Sequence, residues 1–291
     1  MNYPRKLKIR SNYNLKDKTT FKVGGLAQYF CEPKDLKELK LTLLWASQNK
    51  LRVFILGSGS NILINDNGLK GLVIKLSSPC FKKISFRKNY IYSGSGVMVN
   101  EIVKFAQKRS LTGLEFLIGI PGTVGGALVM NAGCWGKDIG KLVKEAKVMD
   151  YSGEIKILKN KELRLKYRNS NLKDLVVLSV ILKLKKGDSS QINKDSILYL
   201  RNKCLTQDLT SPSAGCIFKN PKGNFAGRLI DQCGLKGKRI NDAIVSSKHA
   251  NFILNKGRAK ASDILRLIKF IQTRVKKKFG KNLIPEIKIW A

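Results

Sequence analysis

The 291-residue sequence predicts an α+β protein of two or three lobes, and three observations carry that expectation. Amphipathic helical patterns alternate with short buried strand patterns through the first half of the chain. Glycine clusters punctuate that alternation at 57–59, at 94–96 and, most densely, at 113–136. A chain of this length can bury a large core and divides readily into lobes.

In chain order, Pro33 precedes a helix expected from Asp35 to Gln48, with Leu36, Leu39, Leu43 and Leu44 on one face. Arg52 to Leu56 reads as a buried strand running directly into Gly57-Ser58-Gly59-Ser60-Asn61, and Leu72 to Leu76 as a second. A second lobe begins near Tyr90 with a strand to Ser93 and a Gly94-Ser95-Gly96 turn. Asn100 is expected to cap a short helix ending near Arg109. Further strands are predicted at Ala146–Tyr151 and Leu175–Leu184, and residues 185–190 (KKGDSS) as a linker. The last lobe carries a helix expected to start at a Ser262 cap. It turns Ile264, Leu265, Ile268, Ile271 and Val275 inward and stops at Gly280.

The segment Gly113–Gly136, GLEFLIGIPGTVGGALVMNAGCWG, carries the most chemistry. Glycine loses more backbone freedom on folding than any other residue, so so dense a cluster needs a reason. The usual one is a backbone that turns tightly and brings its N–H groups to a ligand. Too apolar for a linker and too glycine-rich for an ordinary core helix, the segment reads as a cofactor-cradling loop. The GSGSN turn is a second phosphate-binding candidate, although many strand-to-loop turns share that composition. It is not G-x-G-x-x-G and no helical pattern follows it, so a dinucleotide-binding fingerprint is excluded.

Composition narrows the classes. Lys and Arg number 56 against 20 Asp and Glu, a net charge of +36, which invites a nucleic-acid reading. Yet the lysines spread over almost every segment, the longest basic run is Lys276-Lys277-Lys278, and no DNA- or RNA-binding signature accompanies them. No specific nucleic-acid partner is expected. No apolar run approaches about 18 residues, so no membrane insertion is expected. The N-terminus lacks a signal-peptide core, which favours a cytoplasmic protein. The six cysteines are scattered and His249 is the sole histidine, so zinc-ligand spacing is absent and no metal is expected.

Taken in order, Thr20-Phe21-Lys22-Val23-Gly24-Gly25, ILGSGSN, GIPGTVGGALVMNAG, Tyr167-Arg168-Asn169-Ser170, SAGCIFKNP (213–221), VSSKHANF (245–252) and Pro285-Glu286 resemble the UDP-N-acetylenolpyruvoylglucosamine reductase family over about Thr20–Ile289. The short chain and the VS-x-x-HANF segment resemble the family's compact type. The resemblance implies a vanillyl-alcohol-oxidase (PCMH)-type FAD-binding region at 20–186, with lobes at about 1–77 and 78–186. A C-terminal α+β substrate-binding domain at 187–291 follows. It also implies non-covalent FAD, NADPH as co-substrate and a UDP-sugar substrate. The reaction is reduction of an enolpyruvyl ether to UDP-N-acetylmuramate in peptidoglycan precursor synthesis. A monomer is favoured.

The same resemblance assigns residues. Gly57, Ser58, Gly59, Ser60 and Asn61 with Pro121, Gly122, Thr123, Gly125 and Gly126 would hold FAD. Arg168 would meet the substrate carboxylate, whose charge grows during reaction, and its planar fork suits that shape. On sequence alone it reads as a surface arginine ending a strand, and the resemblance reverses that reading. Cys216 stands where serine is usual for the proton donor to the α-carbon. A thiol, with an ordinary pKa of about 8.5, is a competent acid. Outside its motif it would read as a core residue. Glu286 would assist at the enol, although strand alternation places it on a polar face with Lys288, with Ile287 and Ile289 inward. Tyr167 and Asn220 would bind substrate, and His249 is left out of the catalytic set. A flavin oxidase of the same fold, or a basic nucleic-acid-binding protein, are the alternatives. The chain departs from the family pattern at Ser58, at Gln207-Asp208 where Gln-Pro is usual, and at Asn241 where glycine is common.

Overall fold

The computed structural model describes residues 7–291. They form two compact units interleaved along the chain. The first comprises residues 7–11, 29–58 and 71–202, and the second residues 12–28, 59–70 and 203–291. The α-helices are α1 (Leu36–Gln48), α2 (Val99–Gln107), α3 (Val124–Val129), α4 (Ser189–Thr206), α5 (Ala226–Gln232) and α6 (Ala261–Phe279).

One sheet has the order Ile9–Asn14, Leu26–Cys31, Leu69–Lys75, Val53–Leu56, the last two strands running parallel. Helix α1 starts where expected. Asp35 accepts from the Glu38 amide at 2.8 Å and Glu38 accepts in return from the Lys34 amide at 3.0 Å. One donor that the first turn leaves without a helical partner, and the amide just before the cap, are thereby satisfied. Its Leu39, Leu43, Trp45 and Ala46 are buried with Cys31, Leu72 and Ile74. Burying each such leucine contributes roughly 1.5–3 kcal/mol before the entropy of ordering is counted. Burial, partly opposed by a hydrogen bond with Thr42, pushes the Cys31 thiol up to about 11.

A five-stranded antiparallel sheet follows in the order Ile155–Lys159, Val143–Met149, Val176–Lys183, Tyr90–Gly94, Ile84–Arg87. One face buries Ile91, Val180 and Leu182 with the apolar sides of α2 and α3. Three sequence expectations change here. Asn100 lies inside α2 rather than capping it; its Oδ1 accepts from the Gly119 amide at 3.0 Å, while Glu101 accepts from Met98 N at the helix start. The 185–190 segment is not a loose linker. Lys185–Lys186 pair with Leu111–Thr112, and Asp188 accepts from Gln191 N as α4 begins. The glycine-rich segment is not one loop either. Thr123 caps α3 by accepting from Gly126 N at 3.3 Å, and Gly133–Cys134 pair with Lys137–Asp138. With six residues α3 is too short to persist alone, and its buried Val124 and Leu128 hold it in place.

The second unit has a four-stranded antiparallel sheet in the order Ser213–Cys216, Phe252–Asn255, Ala243–Val245, Arg239–Ile240. Helix α6 packs Ile264, Leu267, Ile268, Ile271 and Val275 into its core. Gly280 ends α6 at φ +66°, its amide bonded to Lys276 O. Its start is not the expected Ser262 cap: Asp66, far back in the chain, accepts from the Ala261 and Ser262 amides at 2.7 and 2.9 Å. The early segments complete this core, because Phe21, Val23 and Leu63 are buried in it. Ile62–Ile64 pair in parallel with Lys288–Trp290. Ile287 is buried as expected, whereas Ile289 is 42% exposed, in a short strand with no fully buried residue.

Candidate active site

The glycine-rich loop after Val53–Leu56 and the segment leading into α3 meet in the first unit. A Cβ at Gly57 would lie 2.8 Å from Thr123 Oγ1, and one at Gly125 would lie 2.8 Å from Ser95 Cβ. Gly125 N donates to Ser95 O at 2.9 Å, and Val124 N to Val97 O at 2.8 Å. Pro121 and Gly122 form the connection just before the Thr123 cap, with Gly122 at φ +159°. Gly126 differs from its neighbours: a Cβ there would meet nothing nearer than Thr123 Oγ1 at 3.4 Å. The protein's own packing does not demand glycine at 126. Ser95 Oγ is buried and has no hydrogen-bond partner among the described residues. Ser95 was not among the residues singled out in the sequence; a serine in a Gly-Ser-Gly turn carries no separate signal.

Arg168 sits in the first unit on a tight turn in which Lys166 and Asn169 exchange backbone hydrogen bonds at 3.0 and 3.1 Å. Arg168 has φ +52°, a left-handed backbone uncommon outside glycine, and Nη2 donates to Gly133 O at 2.6 Å. Asn131 supports the turn by donating to Lys166 O, and Ser170 by donating to Val129 O. The guanidinium lies over the exposed Tyr167 ring, 5.1 Å from its centroid.

The remaining loop residues fall in the second unit. Gly59 has φ +70°, and a Cβ on it would sit 2.1 Å from Lys18 O. Thr20 donates to Gly59 O through its amide at 3.2 Å and its hydroxyl at 3.3 Å, so the N-terminal motif braces the loop from within. Ser60 follows in the same turn. Asn61 faces the C-terminal segment: its Nδ2 donates to Glu286 O at 3.2 Å, and its carbonyl accepts from Lys288 N at 2.9 Å.

The segments that carry Cys216 and Glu286 are joined through the main chain. Gly215 takes φ +71° in a bulged pairing that sets Cys216 opposite Phe252. The next residue, Ile217, accepts from Glu286 N at 2.7 Å, and Phe218 bridges to Pro285. Both side chains project from partly exposed positions. Asn220 Oδ1 accepts from Ala226 N at 3.0 Å, which fixes the start of α5. His249 stacks on Phe252 with ring centroids 4.6 Å apart, and burial holds its pKa below the usual value. Its Nδ1 lacks a partner among the described residues.

Two of the departures have local explanations. Asn241 holds φ +48°, a conformation asparagine tolerates, and its Nδ2 donates to Asp263 at 2.9 Å. Asp208 accepts from Thr210 N and Ser211 N and from both their hydroxyls, so a side-chain-capped turn stands where proline is usual.

Residues 27–159 match the FAD binding domain family, and residues 207–290 match the UDP-N-acetylenolpyruvoylglucosamine reductase C-terminal domain. A 6-hydroxy-D-nicotine oxidase from Arthrobacter nicotinovorans shares the fold at TM-score 0.50 and 17% identity, over 64% of this chain and 44% of that one. Fold and glycine loops together define an α+β flavoprotein with a vanillyl-alcohol-oxidase-type FAD-binding region. The chain is 43% identical over 284 residues to a UDP-N-acetylenolpyruvoylglucosamine reductase from Clostridium tetani, covering 97% of this chain and 92% of that one. A namesake from Rickettsia prowazekii is 40% identical over 96% and 94%. The crystal structure of the Thermus caldophilus enzyme superposes with TM-score 0.84 at 34% identity, over 98% and 99%. The chain belongs to the UDP-N-acetylenolpyruvoylglucosamine reductase family.

Proposed function

We propose that this protein uses NADPH to reduce the enolpyruvyl ether of UDP-N-acetylglucosamine-enolpyruvate, giving UDP-N-acetylmuramate for peptidoglycan synthesis. The observation that carries the reading is the 2.7 Å main-chain bond from Glu286 N to Ile217 O, which ties the segment of Glu286 to the residue after Cys216, within a chain of this family. Bound FAD would supply the hydride relay between NADPH and the enolpyruvyl β-carbon.

The chain's residues fit that cofactor. Gly126 is a glycine that the fold itself does not require, as close approach of another molecule would demand. Ser95 Oγ, buried beside Gly125 and unpartnered among the described residues, offers a further polar group. Gly57, Ser58, Gly59, Ser60 and Asn61 with Pro121, Gly122, Thr123, Gly125 and Gly126 form the proposed cofactor set. The functional division we favour assigns 20–186 to FAD and 187–291 to substrate.

Arg168 takes the substrate carboxylate, where negative charge gathers as hydride arrives at the β-carbon. A guanidinium anchored by Gly133 O requires little reorganisation as that charge grows. Cys216 then gives its S–H proton to the α-carbon. The C=C bond becomes C–C, and the thiolate regains a proton from solvent. Glu286 stands beside that transfer and steadies the enol. Tyr167 and Asn220 bind the UDP-sugar, and His249 stays outside the chemistry. The protein works as a cytoplasmic monomer with no specific nucleic-acid partner; among the described residues no helix is long and apolar enough to cross a membrane.

The deciding experiment is rapid mixing of the purified protein, first with NADPH and then with the enolpyruvyl UDP-sugar. Flavin absorbance should bleach and then return. In Cys216→Ala the bleaching should persist while the return slows about 10²–10⁴-fold, the range of a lost proton donor. Cys216→Ser should recover part of that loss. An alanine variant whose absorbance returns at the wild-type rate removes Cys216 from the mechanism.

A further inference from the structure

Asn251, in the HANF segment, is 3% exposed, and its hydrogen bonds converge on Ile217 and Phe218. Its Oδ1 accepts from Phe218 N at 2.9 Å, and its Nδ2 donates to Phe218 O at 2.8 Å. Its own carbonyl accepts from Ile217 N at 2.8 Å. A carboxamide carries a donor and an acceptor spaced like those of a peptide group. Asn251 therefore pairs with Phe218 as a neighbouring strand would, at a point where the Ser213–Cys216 strand has bulged at Gly215 and its regular ladder to Phe252–Asn255 is interrupted.

The other side of the same two residues holds the acid. Ile217 O accepts from Glu286 N at 2.7 Å and Phe218 bridges Pro285. The segment 217–218 is thus clamped between Asn251 and 285–286. The residue just before it is Cys216, and the residue bonded across it is Glu286. We propose that Asn251 is a positioning residue that sets Cys216 and Glu286 in register for protonation of the α-carbon. The inference rests on the function proposed above and adds to it a residue that touches no reacting atom.

Asparagine is required because both halves of the carboxamide are used. Asn251→Asp has the same shape, but as a carboxylate it presents only acceptors, so the contact with Phe218 O turns repulsive. Asn251→Ser shortens the side chain and releases both bonds. Displacement of a reacting group by about 1 Å can cost about 10²-fold in rate. Hydride transfer from NADPH to the flavin does not involve this clamp and should be spared.

The test uses full-length, FAD-loaded protein. In either variant that melts cooperatively above the assay temperature, flavin reduction by NADPH should stay within about twofold of wild type. Reoxidation by the enolpyruvyl UDP-sugar should slow about 10²-fold, with a larger solvent deuterium isotope effect because proton delivery becomes the slow step. Asn255→Ala is the control: Asn255 is equally buried, on the strand after Asn251, but bonds to Phe21, Gly257 and Ala259. It should lower the melting temperature without changing the isotope effect. Reoxidation within about threefold of wild type in a folded Asn251 variant, or equal slowing of both half-reactions, overturns the proposal. So does failure of both variants to fold when Asn255→Ala folds, since Asn251 would then be a stability residue. If the wild-type flavin is not reoxidised by this substrate at all, the failure belongs to the proposed function.

Discussion

A Cβ at Gly59 would lie 2.1 Å from the Lys18 carbonyl oxygen; at Gly126 it would meet nothing closer than Thr123 Oγ1 at 3.4 Å. Both glycines belong to loops that look alike in sequence. Gly59 is glycine because its own chain presses on it and its φ is +70°, a backbone that other residues adopt only under strain. Gly126 has neither constraint. Glycine motifs of one appearance thus divide into some that the fold needs and some that the fold permits, and the second kind points outward to a ligand.

Gly59→Ala should break the first half of this comparison most visibly. The left-handed backbone alone costs about 1–2 kcal/mol, and the clash with Lys18 O adds to it. Calorimetry of FAD-free protein should show a melting temperature several degrees lower, and a variant that melts like wild type would show that Lys18 moves aside freely. Gly126→Leu tests the other half. The FAD-free protein should melt at or slightly above the wild-type temperature, since leucine favours helix over glycine. FAD affinity, followed by fluorescence titration, should fall about tenfold or more, equal to about 1.4 kcal/mol. Unchanged affinity would show that the open side of Gly126 faces water only.

The smallest expected effect separates the units that hold these loops. His249, the sole histidine, lies in the second unit with its pKa lowered by burial. Its folded pKa is below the unfolded value, so the unfolded chain takes up the proton first as pH falls. Stability is full above about pH 6.5 and declines below it. Hydrogen exchange at Phe252–Asn255 should therefore accelerate between pH 7 and 5.5 beyond the chemical trend, and His249→Phe should flatten that dependence. An identical slope in His249→Phe would assign the acid sensitivity elsewhere. Asp208 and Asp263 act lower still, because hydrogen bonds that outweigh their burial hold them below the usual carboxylate range.

The start of α1 was legible at Asp35, although its role as the cap is known only from the fold. The Asp35 cap, the apolar stripe of α6 and the Gly280 stop each lie within a few residues of what they control. What escaped was carried by partners distant in sequence. Asp66 caps a helix 195 residues away, and Asn61 reaches Glu286 across 225. Ser262 and Asn100 are reasonable caps by type, yet their roles are taken by groups that only the folded chain delivers. The catalytic motifs were legible through resemblance, and their assigned roles await the tests above. The Asn251 clamp was not, because a side chain imitating a strand leaves no periodicity to detect.

The interleaving of the two units has a consequence during synthesis. Phe21, Val23 and Leu63 leave the ribosome well before the α6 residues with which they share a core. At about 5–20 residues per second, those apolar side chains wait roughly ten to fifty seconds for their partners. The core of the second unit thus closes only once α6 has been made. Slowing of elongation late in the message lengthens the interval in which chaperones must shield the nascent chain.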